Sequence, residues 1–114
     1  MELNELQIKW LKALRSGKYK QGTFALHRSN GTFCCLGVLC DIGPWNGEWK
    51  ECDIGVFNYH IPGKNELTGR ITGDMGALVG LTQKDLDELI KLNDNKKLTF
   101  EQIADELEQS FWKE

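Results

Sequence analysis

Apolar positions at Leu3, Leu6, Trp10, Leu11 and Leu14 recur with helical spacing, which places them on one face of a 3.6-residue repeat. The spacing predicts a helix over residues 4–16, capped by Asn4 and ended by Gly17. Lys9, Lys12 and Arg15 fall mostly off the apolar stripe. The pattern then changes. Two short extended runs, 23–27 and 32–34, flank Arg28-Ser29-Asn30-Gly31, and Asn-Gly favours the left-handed conformations of a tight hairpin turn. Residues 35–42 (CLGVLCDI) form an apolar run stopped by Gly43-Pro44. A short buried helix, with Gly37 allowing a close neighbour, is the primary reading; a buried strand is its rival.

Residues 45–72 alternate aromatic and glycine positions, with Trp45, Trp49, Phe57 and Tyr59 among Gly47, Gly55, Gly63 and Gly69. Segments 48–52, 56–61 and 66–71 suit short strands, and Pro62-Gly63 marks a turn. Residues 74–79 read as one helical turn. The last third carries two successive helix starts. Thr82 with Asp85, and Thr99 with Gln102, have capping spacing, while Leu81/Leu86 and Leu98/Ile103 sit where hydrophobic staples close. Asn93-Asp94-Asn95 is expected to join these helices. The fold class is therefore α+β in one domain spanning 1–114: an N-terminal helix, a β-hairpin, a short buried helix, a small antiparallel sheet and a C-terminal αα-hairpin.

Composition changes this picture little. At 114 residues, 40% apolar and 27% charged, the chain is an ordinary single globular domain. No apolar run is long enough to span a bilayer, and Met1-Glu2-Leu3-Asn4-Glu5 lacks the basic, apolar start of a signal peptide. A cytosolic protein is expected, with Cys34, Cys35, Cys40 and Cys52 reduced. Charge is uneven. Residues 1–31 hold six basic side chains against two acidic ones, whereas residues 61–114 hold seven against eleven, and the whole chain is at −3. A nucleic-acid partner is disfavoured on that balance, while a local basic patch for a small anion is not.

Candidate chemistry is sparse. The cysteine spacings, adjacent then five then twelve, do not match the paired ligands of structural zinc, so no metal and no cofactor is expected. A thiol enzyme needs His27 or His60 beside a thiol, which spacing alone does not establish. No phosphate loop is present. Most C-terminal carboxylates read as solvated helix faces. Asp94 in Asn-Asp-Asn lacks the glycine and distal glutamate of a calcium loop. Lys18, Lys20, Arg28 and Arg70 offer charge, with the Thr72 hydroxyl beside Arg70, and Trp45, Trp49 and Tyr59 offer stacking, for an anionic small-molecule ligand; Asn93 and Asp94 can hydrogen-bond its sugar or base. The same aromatics equally suit a protein interface.

Three segments together resemble a known family. They are Trp10-Leu11-Lys12-Ala13-Leu14-Arg15-Ser16-Gly17-Lys18-Tyr19, the block Phe33-Cys34-Cys35-Leu36-Gly37-Val38-Leu39-Cys40-Asp41, and Leu92-Asn93-Asp94 followed by Leu98-Thr99-Phe100-Glu101-Gln102-Ile103-Ala104-Asp105. In these the chain is similar to a family of small, functionally uncharacterised bacteriophage and prophage proteins. The resemblance leaves 44–72 aside and carries over no catalytic residue. It implies a phage product acting in a bacterial cytosol. Three readings follow: a homo-oligomeric binding protein that sequesters an anionic, nucleotide-like host signal in counter-defence; a protein-binding inhibitor of a host enzyme; or a small phosphodiesterase-like or thiol enzyme.

Overall fold

A computed structural model describes residues 2–53 and 55–113. Helix α1 (Glu5–Arg15) begins with a capping box, in which the Asn4 side chain accepts from the Gln7 backbone and the Gln7 side chain accepts from that of Asn4. Trp10, Leu11 and Leu14 enter the core. Two-residue strands β1 (Lys20–Gln21), β2 (His27–Arg28) and β3 (Thr32–Phe33) follow. Gly31, at φ 89°, closes the turn between β2 and β3, and Asn30 Oδ1 accepts from the backbone and hydroxyl of Thr32.

Helix α2 (Cys35–Ile42) is the hydrophobic centre, with Cys35 to Cys40 all buried. A methyl group at Gly37 would overlap the Leu26 carbonyl, so only glycine lets α2 lie this close to the chain entering β2. Strands β4 (Glu48–Asp53) and β5 (Val56–His60) complete a five-stranded sheet of order β1-β3-β2-β5-β4. The sheet is mixed rather than purely antiparallel, because β1 runs parallel to β3. The strand expected over 66–71 is reduced to a single bridge between Leu67 and Tyr59; Thr68 spends its carbonyl on Leu26, and Gly69 follows where a third ladder residue would pair.

Short α3 (Gly73–Ala77) is capped by Thr72. Helices α4 (Gln83–Asp94) and α5 (Phe100–Glu106) both start with the expected capping boxes, and α5 continues as a π-helical turn over Leu107–Phe111. Asn93 and Asp94 are not in a connector. They form the last turn of α4, and the link to α5 starts at Asn95. The two ends of the chain interlock through Trp10 and Trp112, whose ring centroids lie 6.1 Å apart. Trp112 Nε1 and Gln7 Nε2 both donate to the Val79 carbonyl, at 2.7 and 3.0 Å. No helix among the described residues is long and apolar enough to cross a membrane.

Candidate functional site

The side chains of β5 alternate between two faces of the sheet. Tyr59 faces α2 and is buried, while its hydroxyl accepts from Gly47 N at 2.9 Å. Two residues on, Ile61 emerges from under α2 on the same face. The chain then turns, with Lys64 N donating to the Ile61 carbonyl and Gly63 at φ 80°, and returns so that Leu67 pairs with Tyr59. Trp45 folds back over Gly43, where a Cβ would strike its ring. Helix α3 stands opposite. Between them lies a cleft of about 440 Å³ with Ile61, Leu67, Met75 and Leu78 as its apolar surface, Trp45 as an aromatic wall, and Lys64, Asn65, Thr72 and Asp74 as polar groups. That volume suits a small organic ligand. Among the described residues neither Lys64 nor Asp74 is ion-paired. The cleft thus offers one free cation and one free carboxylate beside a mainly apolar floor.

Of the residues singled out from sequence, only Trp45 and Thr72 line this cleft. Trp49 and Tyr59 belong to a second aromatic group further along the same face, with ring centroids 4.7 Å apart. There His27 is stacked between Phe33, at 3.8 Å, and Phe57, at 4.6 Å, and meets the edge of Trp49. Its Nδ1 lies 2.9 Å from the Thr32 carbonyl; a carbonyl only accepts, so Nδ1 carries the proton. Asp41 receives Trp49 Nε1 at 3.1 Å and the Tyr19 hydroxyl at 2.6 Å. Burial, together with that Asp41 bond, holds the Tyr19 phenol far above its usual range. These rings are packed on one another.

The basic candidates do not converge. Arg28 Nε donates to the Thr23 carbonyl at 2.8 Å. Arg70 lies 3.6 Å from Asp87 on α4. Lys18 and Lys20 are exposed near β1. Asn93 and Asp94 are interior groups, only 1% and 8% exposed. Asn93 Oδ1 accepts from Gln21 Nε2 at 2.9 Å and from Cys35 N at 3.3 Å; its Nδ2 donates to the Gly22 carbonyl and to Asp94 Oδ1. Asp94 Oδ1 also accepts from Phe24 N. This pair braces the chain between β1 and β2 against α4, and every polar atom of the Asn93 side chain is spent on the fold.

The thiols point away from nucleophilic chemistry. Burial pushes Cys34 up to about 11 and raises Cys35 and Cys40 as well, the reverse of an activated thiolate. His60 faces Glu66 at 3.6 Å rather than a cysteine. No group of three or more His, Cys, Asp or Glu among the described residues is placed to hold a metal ion. Sequence reading missed Lys64, Asp74, Met75 and Leu78, while Thr72, which it named beside Arg70 as a candidate anion contact, does line the cleft. A usable signal is the trio Met75, Leu78 and Val79: helical spacing promises one buried face, yet Leu78 stays 48% exposed at the cleft.

A family model described as "Domain of unknown function (DUF8296)" matches residues 2–111. No curated protein and no solved structure matches the chain.

Proposed function

The chain belongs to the DUF8296 family, and we propose that it is a small-molecule-binding protein whose site is the cleft between Trp45, the end of β5 and α3. The observation that carries this reading is the cleft itself: about 440 Å³, mostly apolar, with Lys64 and Asp74, neither ion-paired among the described residues, beside the Trp45 ring. Ligand sites combine an apolar body with a few orienting polar groups in this way. A flat apolar portion of the ligand packs along Trp45 and Met75. An anionic end meets Lys64, and Asp74 accepts hydrogen bonds from an amine or ring N–H. Nucleotide-like molecules have all three features. The resemblance to phage and prophage proteins supports a role in the bacterial cytosol, where holding such a host signal counters defence.

Native mass spectrometry of the protein purified from bacteria, followed by thermal-shift titration with a nucleotide and metabolite panel, tests the reading. Retained mass or ligand-dependent stabilisation is expected for the wild type. Both should disappear in Leu78→Trp, which blocks the cleft from a half-exposed position while the unliganded fold keeps its melting temperature. Binding that survives Leu78→Trp unchanged moves the site elsewhere; no binding across the panel removes the proposal.

A further inference from the structure

Phe24 is the most exposed large apolar residue among the described ones, at 65% against 48% for Leu78 and 41% for Ile8. It also has φ 64°, a left-handed conformation that phenylalanine rarely adopts. The strain is held in place from both sides. Its backbone N–H donates to buried Asp94 at 3.1 Å, Arg28 Nε fixes the preceding carbonyl of Thr23, and the next two residues, Ala25 and Leu26, are buried. Glycine at this position would relieve the strain and forfeit only the covered minority of a ring that is 65% exposed. Folding alone therefore gives no reason for an aromatic ring here.

What surrounds the ring gives one. Arg28, in β2, reaches back to the loop through its bond to the Thr23 carbonyl. Lys96 and Lys97 lie two and three residues after Asp94, and the same stretch lies alongside β1 because Gln21 Nε2 donates to the Leu98 carbonyl at 2.7 Å. Lys20 precedes Gln21 in β1. Lys20, Lys96 and Lys97 are exposed, and none of the four basic residues is ion-paired among the described residues. We infer that Phe24, with Lys20, Arg28, Lys96 and Lys97 on the segments bonded to its loop, is the anchor of a docking surface for an acidic protein partner. That partner offers an apolar pocket for the ring with carboxylates around it. An aromatic held rigid before contact loses little freedom on binding, and a basic rim steers an acidic surface into place. A single-stranded nucleic acid is the weaker fit, because such sites set several aromatics along a basic groove and the chain as a whole carries −3.

The intact chain is tested against a displayed library of short random peptides, with Phe24→Gly and the double variant Lys96→Glu/Lys97→Glu in parallel. Enriched sequences should combine Asp or Glu with a large apolar residue. Their affinity should fall about tenfold or more in Phe24→Gly, as for an interface anchor, and should fall in the lysine variant with loss of salt dependence. Phe24→Gly should melt within about 4 °C of the wild type. Four results overturn the inference. The first is a Phe24→Gly variant that melts well below that range, which makes the ring part of the fold. The second is no enrichment, or peptides that bind Phe24→Gly equally. The third is a fluorescent oligothymidylate that binds and depends on Phe24. The fourth is concentration-dependent self-association lost in Phe24→Gly, which makes the partner a second copy.

Discussion

Replacing Asn93 with alanine should remove a large part of the protein's stability. Helix α2 starts at Cys35 with no side-chain cap of its own, since Cys34 occupies the capping position. The first amides of a helix have no intrahelical acceptor, and the Cys35 amide uses Asn93 Oδ1, 58 residues away. Alanine at 93 strands that buried amide, at a cost of about 1–3 kcal/mol. It also removes the bonds to the Gly22 carbonyl, Gln21 and Asp94. Gln21 keeps the Leu98 carbonyl and Asp94 keeps the Phe24 amide, so these losses are smaller, roughly 0.5–1.5 kcal/mol each. A total of about 2.5–7.5 kcal/mol follows, against the roughly 5–15 kcal/mol that holds an ordinary domain. Asp94→Asn retains the accepting oxygen and should cost about 1 kcal/mol or less. Urea unfolding followed by tryptophan fluorescence measures both. If Asn93→Ala stays within about 1 kcal/mol of the wild type, solvent reaches this network, and Asn93 returns as a candidate ligand contact.

Gly37→Ala should be at least as damaging, about 3 kcal/mol or more, because the new methyl meets the Leu26 backbone rather than a movable side chain; a soluble variant with wild-type melting would refute the close packing of α2. Stability should fall on the alkaline side. Below the usual thiol value of 9.0 both folded and unfolded chains hold their protons; above it the unfolded chain releases them while Cys34, held up to about 11, does not. Cys35 and Cys40 act in the same direction, so each buried thiol steepens the loss by up to about 1.4 kcal/mol per pH unit, readable as a falling urea midpoint above pH 9. Disulfide-reagent titration near neutral pH should modify the exposed Cys52 quickly and the three buried thiols only on unfolding; rapid reaction of all four cysteines contradicts the packed core.

What the sequence revealed and what it hid divide along the range of the interactions. Asn4 with Gln7, Thr82 with Asp85 and Thr99 with Gln102 are reciprocal bonds three residues apart, and short spacing is visible in a linear string. Gly37 and the Gly43-Pro44 stop likewise located α2. Asn93-Asp94-Asn95 looked like a connector because these residues favour turns. Their partners, Gln21, Gly22, Phe24 and Cys35, lie far back in the chain and hold them in helix instead. The cleft was hidden for the same reason: the α2–β4 link, the turn after β5 and the segment around α3 each contribute only part of its lining. The basic and aromatic residues grouped by eye as one site separate onto the β1 edge, the covered sheet face and the far side by α4.

The borrowed cap on α2 also sets an order of assembly. The most buried helix of the protein has its first amide satisfied by a residue near the end of α4, and α1 is fastened to Val79 and Trp112. A ribosome that has delivered only the first half of the chain has delivered an apolar helix with an open end and no lid. The nascent protein must keep Cys35 to Cys40 out of aggregates until the final helices arrive, and closure is then a single late event. Contacts of such long sequence separation slow folding, so the open end of α2 is exposed for longer than the finished structure would suggest.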